Sequence, residues 1–117
     1  MNYDEMPAGR EMDVLIAEKV MGWKWDSRDE VFYDQEGRSR VDIFNRFSSE
    51  IEYAWMVVEK IIAMSYTVLV SNGKHSPPRQ TWHCIITIIP QQGGYRDGYA
   101  DTAPLAICRA ALKAVEG

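Results

Sequence analysis

Cysteine and histidine are scarce in this chain. There are two of each, and Cys84 and Cys108 stand far apart without a CxxC spacing, so no zinc site and no disulfide framework is expected. No run approaches the ~20 apolar residues of a membrane-spanning helix. The N-terminal MNYDEMPAGR carries acids and no long apolar run, so it does not read as a secretory leader. Excess positive charge is missing too: 13 Lys and Arg against 17 Asp and Glu leave a formal net charge of −4. That speaks against a reader of duplex nucleic acid, which normally shows a basic stripe. Neither a GxGxxG nor a Walker lysine occurs. These absences point to a protein without a membrane segment, metal or other cofactor, its thiols buried in a reducing cytosol. A local site for a small anion remains compatible with the negative total.

What is present is one domain's worth of chain, 117 residues, 46% apolar and 26% charged, read as a single domain over 1–117. Residues 9–21 have a helical period in Val14, Ala17, Val20 and Met21, with Ile16 widening the stripe and Gly22 as a stop. Trp23 and Trp25 follow. Residues 26–47 are dense in charge and read as a loop or marginal hairpin, with VFY and RVDIF as short strands around DQEG. Residues 49–64 fit the i, i+3, i+4, i+7 template through Ile51, Ala54, Trp55, Val58, Ile61 and Ile62, and Ser49 with Glu52 makes a capping-box pattern. So wide an apolar surface implies a central helix or one buried against a second subunit. YTVLVS (66–71) and TWHCIITII (81–89) read as an antiparallel strand pair across NGKHSPPRQ. In the second run Trp82, Cys84, Ile86 and Ile88 share one face, and His83, Ile85, Thr87 and Ile89 the other. Both are largely apolar, so cover is expected on both sides of the sheet. A last helix is expected from about Ala103 to Val115, with Thr102 as N-cap, Pro104 in the first turn, and Leu105, Cys108, Leu112 and Val115 buried.

The stretch GGYRDGYADTAPLAICRAAL leads into that helix as a glycine- and tyrosine-rich loop. Either it is a tight turn with an N-cap, or its glycines let a ligand reach the first amides of the helix. In the second case Tyr95 and Tyr99 stack on a base or bond a ribose, Arg96 pairs with a phosphate, Thr102 belongs to the site, and Asp97 and Asp101 repel a phosphate unless they bind hydroxyls. Arg109 joins them if its face is open. Lys74 and Arg79 on the NGKHSPPR tip are candidate phosphate clamps, against a solvated turn. Trp23 and Trp25 are candidates for stacking a nucleobase or sealing a subunit contact. Trp55 is expected in the core and His83 as a satisfied buried histidine. The two cysteines sit among apolar neighbours, which raises a thiol pKa and disfavours nucleophilic chemistry.

Three stretches, GREMDVLIAEKVMGWKW, FSSEIEYAWMVVEK and GYADTAPLAICRAAL, together resemble the phage ABA sandwich domain family. The resemblance runs from about residue 9 to 116. It is weak over 26–42 and 72–79, and most specific in TAPLAICRAAL. It implies an α+β fold, an α/β/α sandwich in which a small antiparallel sheet is covered by helices on both faces. It supplies no catalytic motif. The expectation is a non-enzymatic phage or prophage accessory protein in the host cytoplasm. It would bind and sequester a small anionic nucleotide signal, a cyclic dinucleotide or an ADP-ribose derivative, and act as a homo-oligomer with no duplex nucleic acid or membrane partner. The alternatives are a protein-binding module that inhibits a host or phage enzyme, and a small nucleotide hydrolase.

Overall fold

The computed structural model describes residues 2–40, 46–73, 81–89 and 94–116. It is an α+β sandwich of three helices and two three-stranded antiparallel sheets. Helix α1 (Arg10–Leu15) continues as a π-helical turn, Ile16–Val20. The wide turn closes through Met21 N–H to the Ile16 carbonyl (3.0 Å) and Trp23 N–H to the Ala17 carbonyl (2.9 Å), and Gly22 leaves it at φ +74°. Met12, Ile16, Ala17 and Val20 are its buried side chains, while Val14 and Met21 of the expected stripe are half-buried.

The charged stretch that follows folds into a small sheet of β1 (Lys24–Asp26), β2 (Val31–Tyr33) and β3 (Ser39–Arg40). Its acids work as turn builders. The Asp26 carboxylate accepts from the N–H of Arg28 and Asp29, and that of Asp34 from Glu36 and Arg38, the Asx geometry that lets a short polar segment reverse direction. Those backbone bonds, with Arg38 and Arg40 alongside, hold the Asp34 carboxyl below its ordinary pKa. VFY is thus a strand as expected; most of RVDIF lies outside the described residues. Phe32 and Trp23 carry this sheet into the core, and Trp23 is packed between Phe47 (5.7 Å between rings) and the Arg40 guanidinium (5.1 Å).

Helix α2 (Ile51–Ala63) buries Ala54, Val57, Val58 and Ile61. The expected stripe is rotated: Ile51, Trp55 and Ile62 are 53–54% exposed, so Trp55 is not a core residue. The capping box does not form either. Glu50, in extended conformation, is the cap residue, and no side chain caps the helix. The preceding Ser48 is fully buried and ties this region to the start of α1, donating through N–H (2.9 Å) and Oγ (2.7 Å) to Asp13 while accepting from Gly9 N–H.

The larger sheet has the order β4 (Thr67–Asn72), β5 (Trp82–Ile89), β6 (Gly94–Ala100). The β4–β5 pair is the expected one. β6 replaces the expected flexible lead-in: residues 94–100 are a strand, with Tyr99 opposite His83, Asp97 opposite Ile85 and Tyr95 opposite Thr87. Alternation then sends Arg96, Gly98 and Ala100 to one face and Tyr95, Asp97 and Tyr99 to the other. Helix α3 (Ala103–Glu116) lies on the first face, against β5 and β6. Every residue from Ala106 to Leu112 is buried, because α2 and the π-helical turn pack on α3 from its far side. α3 is therefore a middle layer. The cover expected on both faces of the larger sheet is met by helices on one; on the other, Leu69 is 59% and Tyr95 57% exposed. Among the described residues no helix is long and apolar enough to cross a membrane.

The approach of α3 to β6 is limited by one residue. A Cβ on Gly98 would stand 2.6 Å from the Ala106 carbonyl oxygen, 2.7 Å from Ala110 N and 2.9 Å from Arg109 Cβ. Two of those atoms are backbone and cannot swing aside. Gly98→Ala should therefore cost ~2 kcal/mol or more in unfolding free energy by urea denaturation, as overpacking of a tight contact does. A second expectation concerns Asp13, whose burial raises its carboxyl pKa against the lowering effect of Ser48. Folding favours the neutral form, so that contribution is complete below the unfolded-chain pKa and is lost as pH rises through the folded one. Asp13→Asn keeps an acceptor for Ser48 and carries no charge. It should be at least as stable as the parent at pH 7 in thermal melts, with the difference closing toward roughly pH 4.

Candidate functional site

The open face of the larger sheet is a grid of side chains set by the strand register. Three rows run across it: Thr67–Thr87–Tyr95, Leu69–Ile85–Asp97 and Ser71–His83–Tyr99. Six of these residues, His83, Ile85, Thr87, Tyr95, Asp97 and Tyr99, line a depression of about 350 Å³, within the range of small-molecule sites. The His83 and Tyr99 rings stack in parallel, 4.0 Å between centroids at 2°, as cross-strand neighbours at a close-spaced pair can. The imidazole Nε2 lies 3.1 Å from Asp97 Oδ2. His83 thus has a satisfied ring, as expected, but the ring belongs to the wall of a depression. The result is a rigid aromatic plane, a second exposed ring at Tyr95, one carboxylate, one hydroxyl and an apolar floor at Ile85.

Only part of the expected site is gathered here. Tyr95 and Tyr99 share the depression. Arg96 points to the other face by alternation and donates from Nη1 to the Tyr95 carbonyl at 2.9 Å. Asp101 and Thr102 are exposed beyond the end of β6. Trp23 is 5% exposed beneath Arg40 and is removed from the candidates, because its ring faces are occupied. Trp25 is 42% exposed and edge-on to Phe32, in a separate recess of about 140 Å³ with Arg10, Val14 and Glu18. Lys74 and Arg79 lie outside the described residues. Another recess, of about 370 Å³ and lined by Gly9, Arg10, Asp13, Val14, Phe32, Arg46 and Ser49, holds none of the expected residues.

The anion site expected at the start of α3 is not formed. Thr102 Oγ1 accepts from Leu105 N–H at 3.4 Å and the Thr102 carbonyl from Ala106 N–H at 3.1 Å, Ala103 and Pro104 are buried, and Pro104 has no N–H to offer. Arg109 is buried as well. Its guanidinium donates to the carbonyls of Tyr99 (2.7 Å) and Met6 (3.0 Å), and burial lowers its pKa. With Arg96 on Tyr95 and Lys113 on the Asp97 carbonyl (2.8 Å), three cations occupy three successive outward carbonyls of an edge strand. That is how a sheet edge is kept from pairing. Lys113 is also held by Asp4 (2.5 Å), so the N-terminal segment closes over the same edge. Arg96 and Arg109, expected as phosphate ligands, are held by backbone carbonyls instead.

Sequence reasoning weighed Asp97 only beside Asp101, as a carboxylate that repels a phosphate unless it binds a hydroxyl, and it missed the joining of His83 to the tyrosines. The signal was there in Tyr95, Asp97 and Tyr99 at i, i+2 and i+4, the spacing of one strand face. The thiols are buried as expected, Cys84 pushed up to about 12 by burial and then by Asp97, and Cys108 raised well above its ordinary value by burial.

The layers and the site together define a small α+β sandwich whose larger sheet has, among the described residues, one face without helical cover. The chain belongs to the phage ABA sandwich domain family, whose model matches residues 14–112. It is similar to a phage protein from Bacillus cereus ATCC 14579, known from a 2.0 Å crystal structure, with 28% sequence identity and a TM-score of 0.69 over 95% of each chain. No curated protein matches it.

If Arg109 holds structure, Arg109→Ala should lower the unfolding free energy by ~3 kcal/mol, the scale of two charge-assisted hydrogen bonds lost from a buried site. Arg109→Lys, lacking the fork that spans both carbonyls, should recover only part of it. Urea midpoints of the three proteins check this.

Proposed function

We propose that the protein is a non-enzymatic phage accessory that binds and sequesters a small nucleotide on the open face of its larger sheet, in the host cytoplasm. The observation that carries the reading is the parallel His83–Tyr99 pair facing a depression rimmed by the exposed Tyr95 ring. A planar heteroaromatic ligand gains ~1–3 kcal/mol per stacked base on such rings. The rows then order the rest of the molecule. A base lies on Tyr95 beside the Thr87 hydroxyl. Asp97, one row on, accepts from a ribose hydroxyl and would repel a phosphate placed there. Phosphates belong at the far end, past the Ser71–His83–Tyr99 row. There the chain leaves β4 at Gly73 and rejoins β5 at Thr81, joined by a Gly73 N–H to Thr81 carbonyl bond of 2.9 Å. Lys74 and Arg79, the expected phosphate clamps, belong to the intervening sequence and lie outside the described residues. Cyclic dinucleotides and ADP-ribose derivatives have this base, ribose and phosphate order.

Calorimetry against mononucleotides, cyclic dinucleotides and ADP-ribose should find at least one ligand that is returned intact on heating. Tyr95→Ala should weaken it ~10-fold or more without lowering Tm. Arg96→Ala, on the other face, should leave the affinity unchanged. No heat from any of these nucleotides, a ligand returned hydrolysed, or full affinity in Tyr95→Ala would each overturn the reading.

A further inference from the structure

The two edges of the larger sheet are treated differently. On β6, Arg96, Lys113 and Arg109 cap the carbonyls of Tyr95, Asp97 and Tyr99. β4 is the other edge, and among the described residues no strand pairs with its outer side. Its sequence, TVLVSN, has no charge, no proline and no glycine, the features by which exposed edges are blunted. The register says which groups it offers. The outward carbonyls of Tyr95, Asp97 and Tyr99 turn the backbone of their partners Thr87, Ile85 and His83 toward β4. Their partners on β4, Thr67, Leu69 and Ser71, therefore face inward, and the Gly73 N–H to Thr81 carbonyl bond keeps the same phase. Val68, Val70 and Asn72 are left with N–H and C=O directed outward.

We infer that β4 pairs antiparallel with β4 of a second copy of this chain, joining two three-stranded sheets into one of six strands. A segment reading Thr-Val-Leu-Val-Ser is nearly symmetric about Leu69. Placing a two-fold axis at Leu69 sets Val68 opposite the partner's Val70 as a hydrogen-bonded pair, and Thr67 opposite the partner's Ser71. Leu69, 59% exposed in the single chain, then meets the partner's Leu69 at a close-spaced pair. An uncharged edge brings identical copies together without repulsion, which an isologous contact requires. α2, the helix that packs against β4, carries the exposed Ile51, Trp55 and Ile62. A stable interface buries ~800 Å² per partner; the strand edge with Leu69 supplies part of it, and these α2 side chains are further exposed apolar surface that the chain offers. The pairing is independent of any ligand, and it places both depressions on one side of one continuous sheet.

Oxidative crosslinking of variants with one added cysteine tests this register, because a close-spaced antiparallel pair suits a disulfide. Cys84 and Cys108 are buried and serve as an internal blank. Leu69→Cys should give a covalent dimer, whereas Thr67→Cys, four residues out of register with itself, should not. Leu69→Lys puts two like charges on the axis at an exposed position. It should weaken the dimer at least tenfold by sedimentation velocity and release the Val68 and Val70 amides to fast hydrogen exchange. A parent chain that stays monomeric at 100-fold dilution steps up to ~1 mM overturns the inference. So does a dimer that Leu69→Lys leaves intact with Val68 and Val70 already in fast exchange.

Discussion

The contact of α3 with β6 at Gly98 is the constraint on which the remaining architecture rests. Because that position has no side chain, a helix axis comes within backbone contact of a strand, and the small residues Ala106 and Ala110 use the space. Seven consecutive buried residues follow from this position, since the sheet closes one side of α3 while α2 and the π-helical turn close the other. Packing this tight is what lets a short chain assemble a dry core despite its unfavourable surface-to-volume ratio. It also fixes which face of β6 is spent on the core. Tyr95, Asp97 and Tyr99 are placed toward solvent by the same register that places Gly98 toward the helix.

A second consequence is how the positive charge is used. In an acidic chain, arginines near tyrosines invite a reading as phosphate ligands. Arg96, Arg109 and Lys113 instead neutralise the carbonyl row of an edge strand, and Arg109 reaches on to Met6 in the N-terminal segment. Edge protection and ligand binding ask for the same residue types, and only the direction of the side chain separates them. The proposed nucleotide therefore meets rings, a hydroxyl and a carboxylate rather than these three cations.

Much of the fold could be read from the sequence where periodicity is strong and local. α3 was legible from Thr102, Pro104 and its apolar spacing, and β4 and β5 from β-branched runs around Asn-Gly. β6 was not, because GYRDGYA has two glycines, two charges and no β-branched residue; its strand identity comes from pairing with β5 and from α3, both distant in sequence. The small sheet was legible only as a marginal hairpin at VFY and DQEG: strands of two and three residues leave almost no alternation, and Asp26 and Asp34 look like solvated charge until their turn bonds are seen. The α2 pattern gave the helix but not its rotation. Ile51, Trp55 and Ile62 lie at the border of the buried arc, and whether a border residue is covered depends on neighbours that a helical period does not contain. For the candidate site, Tyr95 and Tyr99 were legible as aromatics in one glycine-rich stretch. Their union with His83 waited on the strand register.

The fold thus divides its larger sheet into a face for its own core and an open face, the one proposed to take a guest. Assigned amide and side-chain NMR spectra recorded during titration with ADP-ribose or a cyclic dinucleotide test that division most directly. Shift changes concentrated on His83, Ile85, Thr87, Tyr95, Asp97 and Tyr99, with α3 quiet, are what the account expects. Changes centred instead on Asp101 to Leu105, or on the recess at Arg10, Trp25 and Phe32, would contradict it.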